Sequence, residues 1–132
     1  MHGIKSAKAK QLNLADVEWA VQWEYLYFWN MDVLSQYVNQ IRQLCLKHSV
    51  SELFVFGSIL CDSFSEDSDI DFLVDFSNVS LEEYADNYFD LKFSLESLLD
   101  RDVDLLEKKA LRNPYLLESI DSTKQLVYEA WD

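Results

Sequence analysis

The chain has 132 residues, of which 49% are hydrophobic, with two glycines and one proline. This length and composition indicate one folded domain and exclude a linker or a disordered tail. The formal net charge is −13, and the whole imbalance belongs to residues 61–132. Because such a surface repels other polyanions, we expect neither free nucleic acid nor an anionic membrane as a partner.

The first 30 residues predict an aromatic-rich extension ahead of a domain at 31–132. Six aromatic residues fall within eleven positions: Trp19, Trp23, Tyr25, Tyr27, Phe28 and Trp29. Their alternation favours a strand, whereas Asp16 before an apolar run favours a capped helix, so both readings stay open. The patch is either a docking or self-association surface, which would make homo-oligomers, or an extra element packed on the domain's own core.

No stretch of the chain matches a secretory signal or a membrane span. The apolar stretch after the N-terminal lysines is interrupted by Glu18, Gln22 and Glu24. Cys45 and Cys61 lie at no metal-ligand spacing. We therefore expect two reduced thiols in a cytoplasmic protein.

From Asp32 the hydrophobic pattern predicts a helix and then two strands. An apolar stripe at spacings of three and four predicts a helix that ends near His48. We expect His48 to interact with the dipole at the helix C-terminus rather than to bind a metal. The apolar run at 53–56 predicts a central strand covered on both faces, and Gly57 ends it.

The second half of the chain predicts helix, strand and helix. Ser80 and Glu83 match a capping box that opens a helix of about five turns, ending at Asp100. Residues 103–106 predict a third strand. Asn113, followed by Pro114, predicts the start of a last helix that reaches about residue 129.

Two aspartates in the second strand and a Gly-Ser pair after the first are the candidate chemical groups. In a strand, Asp69 and Asp71 project from the same face, while the apolar residues between and after them face the core. Gly57 and Ser58 offer backbone N–H groups and a hydroxyl that suit a phosphate. A divalent cation beside a phosphate-binding turn indicates nucleotide chemistry.

Asp104 in the third strand is the candidate third carboxylate. A carboxylate within an apolar strand is costly without a partner, and Mg²⁺ prefers such hard oxygen ligands. Two Mg²⁺ ions about 4 Å apart would bridge the phosphates and activate an attacking hydroxyl, with Asp104 helping to deprotonate it. The alternative is an acidic turn and strand edge on an acidic surface. An EF-hand is excluded, because Phe72 and Asn78 occupy the positions that require Gly and Glu.

The pattern Gly57-Ser58, ten residues, Asp69-Ile70-Asp71 and then Asp104 resembles the DNA polymerase β-like nucleotidyltransferase superfamily, and within it the minimal nucleotidyltransferase group. The resemblance covers about residues 32–130. It implies an α/β (α+β) fold, in which a small mixed β-sheet is flanked by helices. It also implies magnesium-dependent transfer of a nucleoside monophosphate, usually AMP from ATP, with release of pyrophosphate.

The same resemblance implies roles for the candidate residues and a partner. Gly57 and Ser58 would hold the triphosphate, Asp69 and Asp71 would ligate both metal ions, and Asp104 would complete the site. The partner implied is a HEPN ribonuclease toxin, which such antitoxins silence by adenylylating a tyrosine. A non-catalytic antitoxin of the same fold and nucleotidyl transfer to a small molecule are the alternatives.

The sequence departs from the family pattern directly after Ser58. Many members have Arg at that position, whereas this chain has Ile59. Triphosphate binding would then depend on Mg²⁺, on backbone donors and on cations near the third strand. The candidates are Arg101, Lys108, Lys109 and Arg112.

Overall fold

The computed structural model describes residues 32–61 and 64–130, which form a four-stranded mixed sheet flanked by helices. The longer helices are α1 (Val38–Lys47), α2 (Leu81–Leu99) and α3 (Pro114–Thr123), and the strands are β1 (Val50–Phe56), β2 (Ile70–Phe76), β3 (Val103–Glu107) and β4 (Gln125–Glu129). A helical turn at 32–35 precedes α1 and is separated from it by a turn at 36–37, so the helix predicted from Asp32 is interrupted. Two short 3-10 helices cover Gly57–Leu60 and Lys108–Ala110. The predicted extension at 1–30, with its proposed domain boundary, lies outside the described residues.

The sheet has the strand order β3-β2-β1-β4. Strand β1 pairs antiparallel with both β2 and β4, whereas β2 pairs parallel with β3. Parallel neighbouring strands need a crossover connection, and α2 forms this connection between β2 and β3. The end of β1 and the starts of β2 and β3 therefore meet at one end of the sheet.

The main core lies between one face of the sheet and helices α1 and α2. Leu53 and Val55 of β1 are fully buried, together with Phe72 of β2 and Leu91 of α2. The prediction that β1 is a central strand is confirmed. Its coverage is unequal, however, because the alternate residues Phe54 and Phe56 are only partly buried.

Helix α2 forms where the sequence predicts a helix, and it ends at Asp100 as predicted. Asp100 adopts a left-handed conformation with φ of 54° and terminates the helix. Ser80 is the N-cap residue, but its side chain makes no capping hydrogen bond, so the predicted capping box does not form. Leu81 is 93% exposed because it occupies the first turn, beyond the edge of the core.

The prediction of a helix reaching residue 129 is wrong. Helix α3 starts as predicted, since Asn113 Oδ1 accepts hydrogen bonds from the N–H groups of Tyr115 and Leu116. It ends at Thr123, and the following residues form β4 against the edge of β1. β-branched and aromatic residues in this segment favour a strand, and the strand pairs with the open edge of β1. This pairing is a tertiary contact, so the helix periodicity of the local sequence cannot reveal it.

His48 lies at the C-terminus of α1 and is buried, with 2% of its surface exposed. Its Nδ1 lies 2.7 Å from the carbonyl oxygen of Leu44, which is the helix-end contact that we predicted. Its Nε2 lies 2.6 Å from Oδ2 of Asp90 on α2. This hydrogen bond holds the pKa of Asp90 below its ordinary value. The histidine therefore links the two helices.

Two further expectations concern the cysteines and the membrane. Cys45 is buried in the core, which raises the pKa of its thiol to about 12, and Cys61 is exposed. Both are free. Within the described part of the chain, every helix is too short or too polar to cross a membrane.

Candidate active site

Asp71 and Asp104 lie directly opposite one another on the parallel strands β2 and β3. Register partners in a sheet share a face, so both carboxylates project from the face opposite the main core. Ile70 and Phe72 point into the core and are fully buried, as the alternation predicted. Asp69, which we predicted to lie within the second strand, instead precedes β2 by one residue and is exposed.

Gly57 closes the site at the end of β1. Its φ of 76° lies in the left-handed region that favours glycine. A Cβ at this position would overlap with Oδ2 of Asp71. Gly57 is therefore required for two reasons, its backbone conformation and the close approach of a carboxylate.

Ser58 connects the turn to Asp69, which lies just before β2, and to Asp71 within β2. Its backbone N–H faces the Asp71 carboxyl group and opposes the rise in the pKa of that group. Its hydroxyl donates to the carbonyl oxygen of Asp69 over 3.2 Å. The donors that we predicted for a phosphate are thus directed at the aspartate segment in this structure.

The electrostatics of the site centre on Asp71. Burial raises the pKa of this carboxyl group, and the charges of Asp104 and Asp69 raise it further, while the N–H of Ser58 opposes the shift. The carboxylates of Asp104 and Asp69 are therefore each close enough to repel that of Asp71. A cation among them would remove that repulsion.

The donor set is chemically suited to a hard divalent cation, since it consists of carboxylates and nearby backbone groups. Within residues 32–61 and 64–130, no three His, Cys, Asp or Glu side chains converge in an arrangement able to hold a metal ion. The structure thus brings Asp71 and Asp104 into register on neighbouring strands, with Asp69 near Asp71. It does not show the three carboxylates sharing one ligand.

The four cations that we considered for phosphate binding have other contacts. Lys108 and Lys109 lie at the far end of β3, where they pair with Glu52 and with Asp75 on the neighbouring strands. Arg112 donates to the carbonyls of Lys109 and Leu111. Arg101 lies at the site's end of the sheet, but Nη1 donates to two loop carbonyls.

Ile59, which replaces the usual Arg, points into the core. Its side chain is fully buried and belongs to the main hydrophobic cluster. Hence this position anchors the 3-10 helix Gly57–Leu60 through burial and offers no charge to a ligand.

Lys124 is a cation near the site that the sequence prediction missed. It lies just before β4, with Nζ 4.5 Å from the centre of the Phe54 ring and 2.6 Å from Oδ1 of Asp121. Phe54 shares its sheet face with Asp71, because Phe56 is the register partner of Asp71. The missed signal is the run of strand-forming residues that follows Lys124.

Comparison with known proteins gives the family. The family model described as "Nucleotidyltransferase domain" matches residues 38–127. A protein of Methanocaldococcus jannaschii, named "Putative protein adenylyltransferase MJ0128", is 34% identical over 97 residues, which is 74% of this chain and 91% of the relative. "Protein adenylyltransferase MntA" of Thermococcus cleftensis is 35% identical over 82 residues, covering 61% and 76%.

Solved structures share the fold. "Structure of putative minimal nucleotidyltransferase" superposes with a TM-score of 0.60 at 29% identity, over 72% of this chain and 93% of the other. A tri-AMPylated Shewanella oneidensis HEPN toxin in complex with an MNT antitoxin gives a TM-score of 0.52 at 21% identity, covering 73% and 72%. The mixed sheet, the carboxylates on β2 and β3 and these matches lead to one conclusion: the chain is a nucleotidyltransferase that belongs to the nucleotidyltransferase domain family, with the minimal nucleotidyltransferase fold.

Proposed function

We propose that this nucleotidyltransferase transfers AMP from ATP to a protein, and that it acts as the antitoxin of a HEPN toxin. The observation that carries the chemistry is the register of Asp71 and Asp104 at the sheet end closed by Gly57. The relatives' names support adenylyl transfer to protein, and the toxin complex of the structural neighbour supports the partner.

Each residue of the site has a role in this proposal. Asp69 and Asp71 would hold Mg²⁺, and Asp104 would complete the metal site that faces the acceptor. Bound Mg²⁺ supplies charge neutralisation for the phosphates and lowers the pKa of the attacking hydroxyl. Gly57 allows Oδ2 of Asp71 to approach the backbone, and Ser58 keeps both aspartates oriented.

The acceptor and its charge follow from the same reasoning. Residues 61–132 carry nineteen acidic against six basic residues, so a basic partner surface would associate fastest. The acceptor hydroxyl would approach on the face of the sheet that bears Asp104. A tyrosine of the HEPN partner is the hydroxyl that we propose.

The test is a labelling experiment with α-labelled ATP, Mg²⁺ and the cognate HEPN protein. We expect label on the partner with the wild type and with Asp86→Ala, an exposed change on α2, and none with Asp69→Ala/Asp71→Ala. Absence of label on the partner with the wild type, under conditions in which the two proteins bind, would reject adenylyl transfer.

A non-catalytic antitoxin is the second candidate. It is favoured by the buried Ile59 and by the contacts that occupy the nearby cations. The test is growth rescue in cells that express the toxin. If Asp69→Ala/Asp71→Ala neutralises the toxin as fully as the wild type does, binding alone explains the function. If rescue is lost while the variant still binds, transfer is required.

A further inference from the structure

Arg101 holds the loop that leads into the candidate active site. Its Nη1 donates hydrogen bonds to the carbonyl oxygens of Ser65, at 2.9 Å, and Ser68, at 3.0 Å. Its guanidinium carbon lies 4.6 Å from the centre of the Phe64 ring. A planar cation on an aromatic face that also donates two hydrogen bonds is a geometry that suits Arg better than Lys.

The loop itself is a tight turn with its own hydrogen bonds. The N–H of Ser68 donates to the carbonyl of Ser65 over 3.1 Å, and the N–H of Ser65 donates to the Ser68 hydroxyl over 2.9 Å. These bonds make residues 65–68 one unit. By binding two carbonyls of that unit, Arg101 ties it to the residues that precede β3.

The unit ends at Ser68, directly before Asp69. Three hydrogen bonds hold the backbone at and next to Asp69. The carbonyl of Asp69 itself accepts from the Ser58 hydroxyl over 3.2 Å. The next N–H, of Ile70, donates to the carbonyl of Asp102 over 3.1 Å. The preceding carbonyl, of Ser68, is the one that Arg101 binds. Asp69 lies outside β2, so these contacts replace the sheet in setting its position.

We propose that Arg101 is a positioning residue for nucleotidyl transfer: it holds loop 64–68 so that the Asp69 carboxylate stays beside Asp71 and Asp104. This rests on the role given to Asp69 under the proposed function. It differs from the expectation that Arg101 binds the triphosphate. A phosphate ligand would affect nucleotide affinity and leave the loop unchanged, whereas a positioning residue changes the loop first.

The experiment compares Arg101→Ala with Arg42→Ala, a matched loss of an exposed arginine on α1. Hydrogen–deuterium exchange of the peptide covering residues 64–70 is measured without nucleotide. We expect exchange several-fold faster in Arg101→Ala and unchanged in Arg42→Ala. The Mg²⁺ concentration at half-maximal thermal stabilisation should also rise several-fold, because Asp69 is no longer held.

Kinetic constants distinguish a positioning role of Arg101 from direct binding of the triphosphate by Arg101. Misplacement of a reacting group by about 1 Å can cost on the order of 100-fold in rate. We therefore expect kcat to fall by about 10- to 100-fold in Arg101→Ala, with the KM for ATP changed by less than about threefold. Unchanged loop exchange together with a large rise in the KM for ATP would overturn the proposal in favour of a direct phosphate contact.

Two milder variants keep the test decisive if Arg101→Ala is too unstable to assay. Arg101→Lys retains the charge without the planar group, and Phe64→Leu removes the ring that the guanidinium contacts. Both should accelerate loop exchange and raise the Mg²⁺ midpoint in the same direction, by less than Arg101→Ala. Normal exchange in both variants would reject the positioning role. The exchange and Mg²⁺ measurements do not depend on the acceptor, so they remain informative if protein adenylylation itself is disproved.

Discussion

Gly57 and Asp71 approach so closely that a Cβ added to the glycine would lie 2.2 Å from Oδ2 of the aspartate. Gly57 ends β1 and Asp71 is the second residue of the neighbouring strand. This contact couples the turn that follows one strand to the carboxylate of the next. It makes the glycine a requirement of the site and not only of the turn.

Replacing Gly57 with Ala should therefore destabilise the protein and suppress transfer. The positive φ and the overlap with Asp71 together should cost about 1–3 kcal/mol of unfolding free energy. Urea denaturation gives this value, and the labelling assay gives the loss of activity. In an Asp71→Ala background the overlap is absent, so the same change should cost less. An equal cost in both backgrounds would mean that the φ strain alone is responsible.

Removing the repulsion between Asp71 and Asp104 should stabilise the metal-free protein. Asp104→Asn eliminates one of two like charges that face each other in register. We expect a gain of about 0.2–1 kcal/mol in unfolding free energy without Mg²⁺, together with loss of transfer.

With Mg²⁺ bound, the wild type should become more stable than Asp104→Asn. Mg²⁺ should raise the Tm of the wild type and raise that of Asp104→Asn by much less. Asp86→Asn, an exposed change on α2, is the charge-matched control and should respond to Mg²⁺ as the wild type does. A Tm response of Asp104→Asn equal to that of the wild type would remove Asp104 from the proposed metal site.

Glu96 should make stability depend on pH in the acidic range. Its carboxylate accepts hydrogen bonds from the N–H of Val103 at 3.0 Å and from Lys92 at 3.1 Å, which lowers its pKa. A lowered pKa in the folded state means that the stabilisation is complete above the ordinary Glu value and is lost as pH falls through the folded value.

Comparison of the wild type with Glu96→Gln measures this dependence. Their difference in unfolding free energy should be greatest near pH 7 and should shrink below about pH 4.5. Glu118→Gln, an exposed change on α3, should show no such trend. A difference that does not vary with pH would show that the charge on Glu96 does not contribute to stability.

Two helices that begin with a polar N-cap residue should respond differently when that residue is replaced by alanine. Asn113 accepts two backbone hydrogen bonds at the start of α3, whereas the side chain of Ser80 makes none at the start of α2. Asn113→Ala should cost about 1 kcal/mol and Ser80→Ala only a few tenths. Thermal and urea denaturation check both values. Asn113→Asp, which keeps an acceptor, should restore most of the loss, and equal costs for the two alanine variants would contradict the structure.

Much of the fold was predictable because local patterns agree with it. Helix α2 and strands β1 to β3 appear as predicted, since their apolar spacing matches the face that each one buries. The Gly57 turn and the alternation of Ile70 and Phe72 are also local properties. Strand β4 was missed because its partner, β1, lies about seventy residues earlier in the chain. A contact of that range leaves no periodic signal.

The sequence by itself determined the chemistry that is available: aspartates two apart, a Gly-Ser turn at a fixed distance and a further Asp in the third strand. Tertiary structure decided how these groups meet. The parallel register sets Asp104 opposite Asp71, the pairing of β4 brings Lys124 to the same face, and Arg101 binds the loop before Asp69. Each of these depends on hydrogen bonds between segments far apart in the chain, which residue spacing cannot specify.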